Sequence, residues 1–146
     1  IEAIIVPYKG GGPAITALMG GEIDYLFCTG PVGSAALKSG RVRALAVTTA
    51  KKASAFPDLP TMNTFYPGFE FDNWYAMWFP AGTPKDIVAK MNGLIVTALK
   101  QEKVRGFMVK EGLDPVGSTP DELAAQMKSE IAKYADVIKK ANIKLQ

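Results

Sequence analysis

The sequence predicts an α/β fold with parallel strands. Short apolar runs at 3–8, 23–27 and 42–48 have the length and residue types of buried strands. The first two are each followed by a turn rich in glycine or proline and then by a helix-like segment. Strands that alternate with helices along a chain are typical of a parallel sheet covered by helices, so this alternation carries the prediction.

Helix signals define the remaining elements. Proline inside a first turn, threonine as an N-cap and glycine after a last turn mark where helices begin and end. These signals predict helices from Pro13 to Gly20, over 32–40, from Thr83 to Lys100 and over 102–112, the last of these with a stop at Gly112. A fifth helix is predicted to begin at a capping box of Thr119, Pro120 and Glu122 and to run toward the C-terminus. The proline-rich stretch 50–70 is predicted to be irregular, and 71–79 to be a fourth strand. Apolar residues repeat at helical spacing along the third and the last of these helices, so we expect each to bury one face.

Composition indicates one ordinary domain with a core. The chain has 146 residues, of which 48% are hydrophobic, and its net charge of +3 is scattered. No apolar run approaches the roughly 20 residues of a membrane-spanning helix. We interpret the mild positive charge as a solvated surface rather than as a site for anionic partners. A basic stripe with interleaved aromatic residues is lacking, so we predict no nucleic-acid partner.

Two residue types limit the possible chemistry. The sequence has no histidine and a single cysteine, Cys28. Histidine-based triads, histidine-ligated metals and internal disulfides are therefore excluded within these 146 residues. Cys28 has no histidine to activate it, so we do not expect a nucleophile. Glu70 and Asp72 resemble paired catalytic carboxylates only by their proximity. We predict no enzymatic activity, no metal and no cofactor.

The stretch "VPYKGGGPA" at 6–14 places three consecutive glycines before a proline-started helix. It lacks the Gly-Lys-Ser/Thr order of a nucleoside-triphosphate loop, and Ile15 stands where a dinucleotide fingerprint needs its third glycine. A plain strand-to-helix turn and an anion site made by backbone N–H groups both remain open, and spacing alone favours the turn. The stretch "FCTGP" at 27–31 repeats the pattern. Two such turns after consecutive strands would face one cleft.

The aromatic segment 69–79 also has two interpretations. Its side chains could form a cage around a ligand, but Trp74 and Trp78 would share one face of a strand. Packing in a core is therefore the favoured interpretation.

Five stretches in register carry a resemblance to a known family. They are "VPYKGGGPA", "GEIDYLF", "LKSGRVRALAVTTAKKASAFPDLPT", "WYAMWFPAGTPKDIV" and "EGLDPVGSTPDEL". In this order they resemble the C-terminal half of the periplasmic substrate-binding proteins of tripartite tricarboxylate transporters, the Bug or TctC type. The resemblance covers essentially the whole chain. It implies part of a two-lobed, periplasmic-binding-protein-like fold of the Venus-flytrap kind (type II).

The resemblance also implies a function and a site. Members capture a small carboxylic acid in the periplasm and deliver it to the membrane components of the transporter without catalysing a reaction. The implied ligand-binding residues lie in the two turns; they are Tyr8, Gly10, Gly11, Gly12, Pro13 and Ala14 in the first, and Cys28, Thr29, Gly30 and Pro31 in the second. A backbone turn that approaches a carboxylate, directly or through water, would explain the three glycines.

This chain departs from the family's pattern in length and at one position. Members are about twice as long, so we expect 1–43 to belong to one lobe and 44–146 to the other, with the crossover between 42 and 75. The abrupt start in a strand leads us to expect a mature or truncated product that carries no signal peptide. Exposed edges should then be covered by the missing N-terminal half or by another copy of the chain. A scaffold fragment without a ligand is the alternative function. Cys28 replaces a position that is often acidic in relatives, which argues against an amino-acid ligand.

Overall fold

A computed structural model of the protein describes residues 3–143. Within this range the α-helices are α1 (Gly11–Gly20), α2 (Gly30–Lys38), α3 (Lys85–Lys100), α4 (Glu102–Lys110) and α5 (Pro120–Lys140), and a single 3₁₀ turn covers Met62–Thr64. The chain divides into two compact units. One comprises Ile1–Met77 and Gln101–Pro115, the other Trp78–Lys100 and Val116–Gln146. The predicted division into lobes at 42–75 stays a prediction.

The helices of the first unit begin and end close to the predicted positions. α1 starts at Gly11, two residues before Pro13, because Gly10 takes a φ of 104° that ends the extended segment before it. It stops where Gly21 adopts the left-handed conformation, with a φ of 77°. α2 carries Pro31 in its first turn and ends at Lys38, just before Gly40. The glycine and proline signals therefore locate both helices, although both starts and the end of α2 lie two residues earlier than predicted.

Small residues form the contact between α1 and α2. Ala14, Ala17 and Ala36 are 4–5% exposed, and Ser34 is buried beside them in the same two helices. Side chains of this size let two helices approach closely. Arg41, which lies beyond the end of α2, is hydrogen-bonded to α1: its Nη2 donates to the carbonyl of Met19 at 3.0 Å. A cation is favourable at this C-terminal end of α1.

α4 and the irregular stretch complete the first unit. Gly112 has a φ of 78° and ends α4 as predicted. Shortly after it, the Asp114 carboxylate accepts from the Ser54 backbone N–H at 3.2 Å. The stretch 50–70 is irregular, as predicted, except for the 3₁₀ turn. An isolated parallel bridge joins Val47 and Thr61.

The predicted strands do not form a ladder within residues 3–143. The runs 3–8, 23–27 and 71–79 are extended or irregular, and 42–48 contributes only the bridge at Val47. A parallel strand is stabilised by hydrogen bonds to neighbours in the same sheet, and apolar pattern alone cannot supply those neighbours. The predicted strands are therefore not paired into a sheet within residues 3–143, although the helices that should follow them are present.

The predicted core packing of the aromatic segment was wrong. Tyr75 is 69% exposed and Trp78 60% exposed, while Trp74 is only half-buried. The predicted apolar faces of α3 and α5 contain no buried residue among those described; Leu94 is 55% exposed and Ile131 65% exposed. An amphipathic pattern predicts which face of an element is apolar, but burial needs a second surface to cover that face.

In the second unit, the predicted start of α5 is confirmed in detail. The Thr119 side chain accepts from the Glu122 backbone N–H at 3.2 Å, and the Thr119 N–H donates to Glu122 Oε2 at 2.8 Å. This reciprocal pair is a capping box. The Asn92 side-chain amide of α3 donates to the Ser118 carbonyl at 2.8 Å, which fixes the turn before α5. At the predicted N-cap of α3, the Thr83 hydroxyl instead donates to the Pro80 carbonyl at 2.9 Å.

Within the described residues, none of the helices has both the length and the apolar character needed to cross a bilayer.

Thr119→Ala should lower the free energy of unfolding by about 1 kcal/mol, because it removes the side chain that caps α5. Urea denaturation of the natural gene product that contains this chain would measure the change. Thr97→Ala is the matched control: its exposed hydroxyl donates to the Gly93 carbonyl inside α3 and caps nothing. Equal losses in the two variants would contradict a capping role for Thr119.

Glu122→Gln should cost stability at neutral pH and progressively less in acid. Hydrogen bonds from the Thr119 N–H and hydroxyl hold the pKa of Glu122 below its ordinary value. A lowered folded pKa contributes stability above the unfolded pKa, and that contribution is lost as pH falls through the folded pKa. The difference between wild type and variant, followed by urea midpoints from pH 7 to pH 3, should therefore shrink. A difference independent of pH would contradict this role of the carboxylate.

Candidate functional site

The first predicted turn presents two backbone N–H groups for which residues 3–143 show no hydrogen-bond acceptor. An α-helix leaves the N–H groups of its first four residues unbonded. In α1 these residues are Gly11 to Ala14; Pro13 has no N–H, and Ala14 donates to the Gly10 carbonyl at 3.4 Å. No side chain caps the helix, and its first turn holds no acidic residue. The N–H groups of Gly11 and Gly12 therefore stay available at the positive end of the helix.

The second predicted turn has the same arrangement at the start of α2. Pro31 lacks an N–H, and Gly33 donates to the Thr29 carbonyl at 3.0 Å. Thr29 is the N-cap residue, but its side chain makes no capping bond. Within the described part of the chain, the N–H groups of Gly30 and Val32 likewise have no hydrogen-bond acceptor. Each turn thus offers two donors, and neither first turn contains an acidic side chain that would compete for them.

The two turns lie side by side. A Cβ added at Gly11 would stand 3.1 Å from Cγ2 of Val32, which is in the first turn of α2. At Gly12, by contrast, a Cβ would meet nothing within 4 Å. Gly11 therefore has a packing role between the helices, whereas Gly12 borders open space. The prediction that two helix starts come together agrees with this geometry.

The predicted site residues differ in exposure. Tyr8 is half-buried, Gly10 to Pro13 are exposed, and Ala14 is buried against α2. In the second turn Cys28 is exposed, and Thr29 to Pro31 are half-buried. The backbone of the first turn is therefore reachable, while Ala14 serves the helix contact.

Gly112 is a neighbour of the second turn that the sequence did not reveal. A Cβ at Gly30 would collide with the Gly112 carbonyl oxygen, and a Cβ at Gly112 would come within 2.8 Å of the Ser34 hydroxyl oxygen. The end of α4 and the start of α2 are therefore in direct backbone contact. Sequence analysis identified Gly112 only as a helix stop, because a left-handed C-terminal glycine is a local signal that does not report a distant contact.

Cys28 does not have the features of a reactive thiol. Its sulfur would lie 3.2 Å from a Cβ at Gly33, and partial burial there raises the pKa of the thiol although the residue as a whole is exposed. A raised pKa keeps the thiol protonated at neutral pH. This geometry supports the expectation that Cys28 is not a nucleophile.

Other features of the described residues do not indicate a competing site. No group of three or more potential metal ligands occurs among residues 3–143. An open hollow of about 560 Å³ lies in the first unit, lined by Ala50, Lys51, Lys52, Asp58, Pro60, Thr61 and Thr64. None of the predicted ligand residues lines it.

Comparison with solved structures defines the class of fold. An R. palustris protein solved with adipate has a TM-score of 0.84 and 32% identity, over 94% of this chain and 46% of that one. The periplasmic binding protein BugD has a TM-score of 0.82 and 34% identity, over 100% of this chain and 50% of its own. MatC from Rhodopseudomonas palustris with bound malate has a TM-score of 0.75 and 35% identity, over 91% and 47%. The chain therefore has part of a periplasmic binding-protein fold.

Sequence comparison shows the family. Residues 1–143 match the family described as "Tripartite tricarboxylate transporter family receptor". BugT of Bordetella pertussis is 34% identical over 143 residues, which are 97% of this chain and 44% of BugT. The chain belongs to this receptor family, as its motifs predicted, and it spans about half the length of these relatives. The part played by each predicted ligand residue stays a prediction.

Gly30→Ala should destabilise the first unit by about 1–3 kcal/mol, because the new methyl group overlaps the Gly112 carbonyl and forces the backbone to move. Gly12→Ala is the matched control, since it also lies in a first helical turn but has open space around it. Denaturation midpoints of the natural gene product would compare the two. A Gly30→Ala protein as stable as the Gly12→Ala protein would contradict the close contact.

Proposed function

We propose that this chain is part of a solute-binding receptor that captures a small carboxylic acid in the periplasm. The receptor passes the acid to the membrane components of a tripartite tricarboxylate-type transporter and catalyses no reaction. Membership of the receptor family supports this function, as do the adipate and malate named for two solved relatives.

The observation that carries the proposal is the pair of adjacent helix starts. Gly11, Gly12, Gly30 and Val32 contribute N–H groups from two turns that lie side by side. A carboxylate has two oxygens with about four acceptor positions, so four donors of this kind match its capacity. Both helix dipoles favour a negative charge at this place. No charged side chain is needed for the recognition of one carboxyl group.

Gly112 gives the two turns different roles in this proposal. Its backbone lies against Gly30 and limits the approach to the second turn from that side. The exposed backbone at Gly11 and Gly12 then makes the principal contact with the carboxylate, and the second turn contributes from the side of Val32. Tyr8, half-buried just before the first turn, would border the bound acid.

A scaffold fragment without ligand is the second candidate. The chain spans 44% of BugT, and a binding cleft in a two-lobed protein needs both walls, so these 146 residues alone supply only part of a cleft. A thermal-shift series with adipate, malate, succinate, citrate, aspartate and an aromatic carboxylate, performed on the natural gene product, separates the two. Stabilisation by at least one acid supports the receptor. No stabilisation by any of these acids would favour the scaffold.

Gly12→Val should weaken binding of the acid found in that series about tenfold or more, equivalent to about 1.4 kcal/mol, because the side chain obstructs the exposed turn. Its β-carbon meets no neighbour, so global stability should change much less. Lys9→Ala, one residue before the glycines, is the control and should have a smaller effect. Isothermal titration calorimetry would measure both. Normal binding by Gly12→Val, or loss of binding by Lys9→Ala alone, would show that a side chain and not the turn holds the anion.

A further inference from the structure

The backbone of Gly112 is fixed by the end of α4. Its N–H donates to the Val109 carbonyl at 2.9 Å, and the N–H of Leu113 donates to the Met108 carbonyl at 2.9 Å. Together with the φ of 78° at Gly112, these two bonds form a Schellman motif, which ends a helix in a left-handed turn. The peptide groups on both sides of Gly112 are therefore held by the last carbonyls of α4.

A second contact fixes the chain just after Gly112. The Asp114 carboxylate accepts from the Ser54 N–H at 3.2 Å, across 60 positions of sequence. Ser54 belongs to the irregular stretch 50–70 of the same compact unit. The segment 112–114 is thus held by a helix end on one side and by a distant backbone donor on the other.

The segment 112–114 touches a donor residue of the second turn. A Cβ at Gly30 would overlap the Gly112 carbonyl oxygen, so the Gly30 hydrogen in that position faces this oxygen. A Cα–H group directed at a carbonyl is a weakly attractive contact. In the other direction, a Cβ at Gly112 would lie 2.7 Å from the Gly30 carbonyl carbon and 2.8 Å from the Ser34 hydroxyl oxygen. The start of α2 therefore has no room to move toward α4.

We propose that Gly112 and Asp114 are positioning residues of the carboxylate site. They hold the second turn where the N–H groups of Gly30 and Val32 reach the acid that is bound at the first turn. This inference rests on the proposed function and deepens it. A backbone donor contributes to binding only within hydrogen-bond distance and with good alignment, and both are lost steeply when the donor is displaced. Because Val32 packs at Gly11 on the other side, the second turn lies between α1 and the end of α4.

Gly112→Ala in the natural gene product that contains this chain tests the glycine. The methyl group displaces the second turn, so binding of the acid found by thermal shift should weaken about three- to tenfold, as expected for a lost hydrogen bond. Gly40→Ala is the matched control, because Gly40 has a φ of 68° just after α2 and a Cβ there meets nothing within 4 Å.

Both alanine variants introduce a side chain at a left-handed position, so both should lower the urea midpoint. Only Gly112→Ala should also weaken binding in isothermal titration calorimetry. Equal affinities of the two variants would overturn the proposal, because the effect of Gly112 would then be one of stability alone.

A measurement without ligand separates this inference from the proposed function. In isotope-labelled protein, Gly112→Ala should shift the backbone amide resonances of Gly30 and Val32, and Gly40→Ala should leave both unchanged. Unchanged resonances in Gly112→Ala would overturn the inference whether or not an acid binds. If the unsubstituted protein binds none of the acids, the proposed function fails and the role in binding fails with it, although shifted resonances would still show the contact.

Asp114 provides a test that does not depend on the folding of Gly112→Ala. Its carboxylate is exposed, so Asp114→Ala should fold, but it loses the acceptor for the Ser54 N–H and should weaken acid binding about two- to threefold. Asp114→Asn keeps a side-chain oxygen that can accept the same bond and should bind as the unsubstituted protein does. Normal binding by Asp114→Ala, or equal losses in the two variants, would overturn a positioning role for this hydrogen bond.

Discussion

The hydrogen bonding of parallel strands is the constraint on which the rest of this structure depends. A parallel strand needs neighbours to satisfy its backbone, and its apolar side chains need helices or other strands on both faces. Here α1 and α2 form and pack through Ala14, Ala17 and Ala36, yet the segments that precede them lack a ladder within residues 3–143. The large exposed side chains of the first unit follow directly from this condition. Its buried apolar contact is correspondingly small, because alanines alone exclude little surface from water.

Glycine has different tasks at neighbouring positions of the site. Gly10 supplies a positive φ that ends the extended segment, Gly11 makes room for Val32, and Gly12 leaves the backbone open. At the second turn, Gly30 and Gly112 allow two chain segments to touch through their backbones. The turn that exposes donors is therefore held in place by contacts that tolerate no side chain. Mutations at adjacent glycines should affect folding and binding to very different degrees.

The sequence predicted those features that depend on residues close together along the chain, namely where helices begin and end. Thr119 and Glu122 revealed the start of α5, and Gly112 revealed the end of α4, because caps depend on residues three or four positions apart. The strands and the burial of Trp78 were not predictable in the same way, since both depend on surfaces distant in sequence. The candidate site was predictable only in part. The glycines and Pro31 predicted its two helix starts, but the contact between Gly30 and Gly112 joins residues distant in sequence and is seen only in the structure. Family resemblance supplied the functional class, which no spacing of residues could give.

The turn from Gly10 to Ala14 contains no ionisable side chain, and this has a consequence for how such a site responds to its surroundings. Donors that belong to the peptide backbone keep their protons across the whole physiological range, so acidification does not switch them off. The ionisation state of the acid itself would then govern the pH dependence of capture. On the proposed function, this turn would select the charged form of the ligand without carrying a charge of its own at the point of contact.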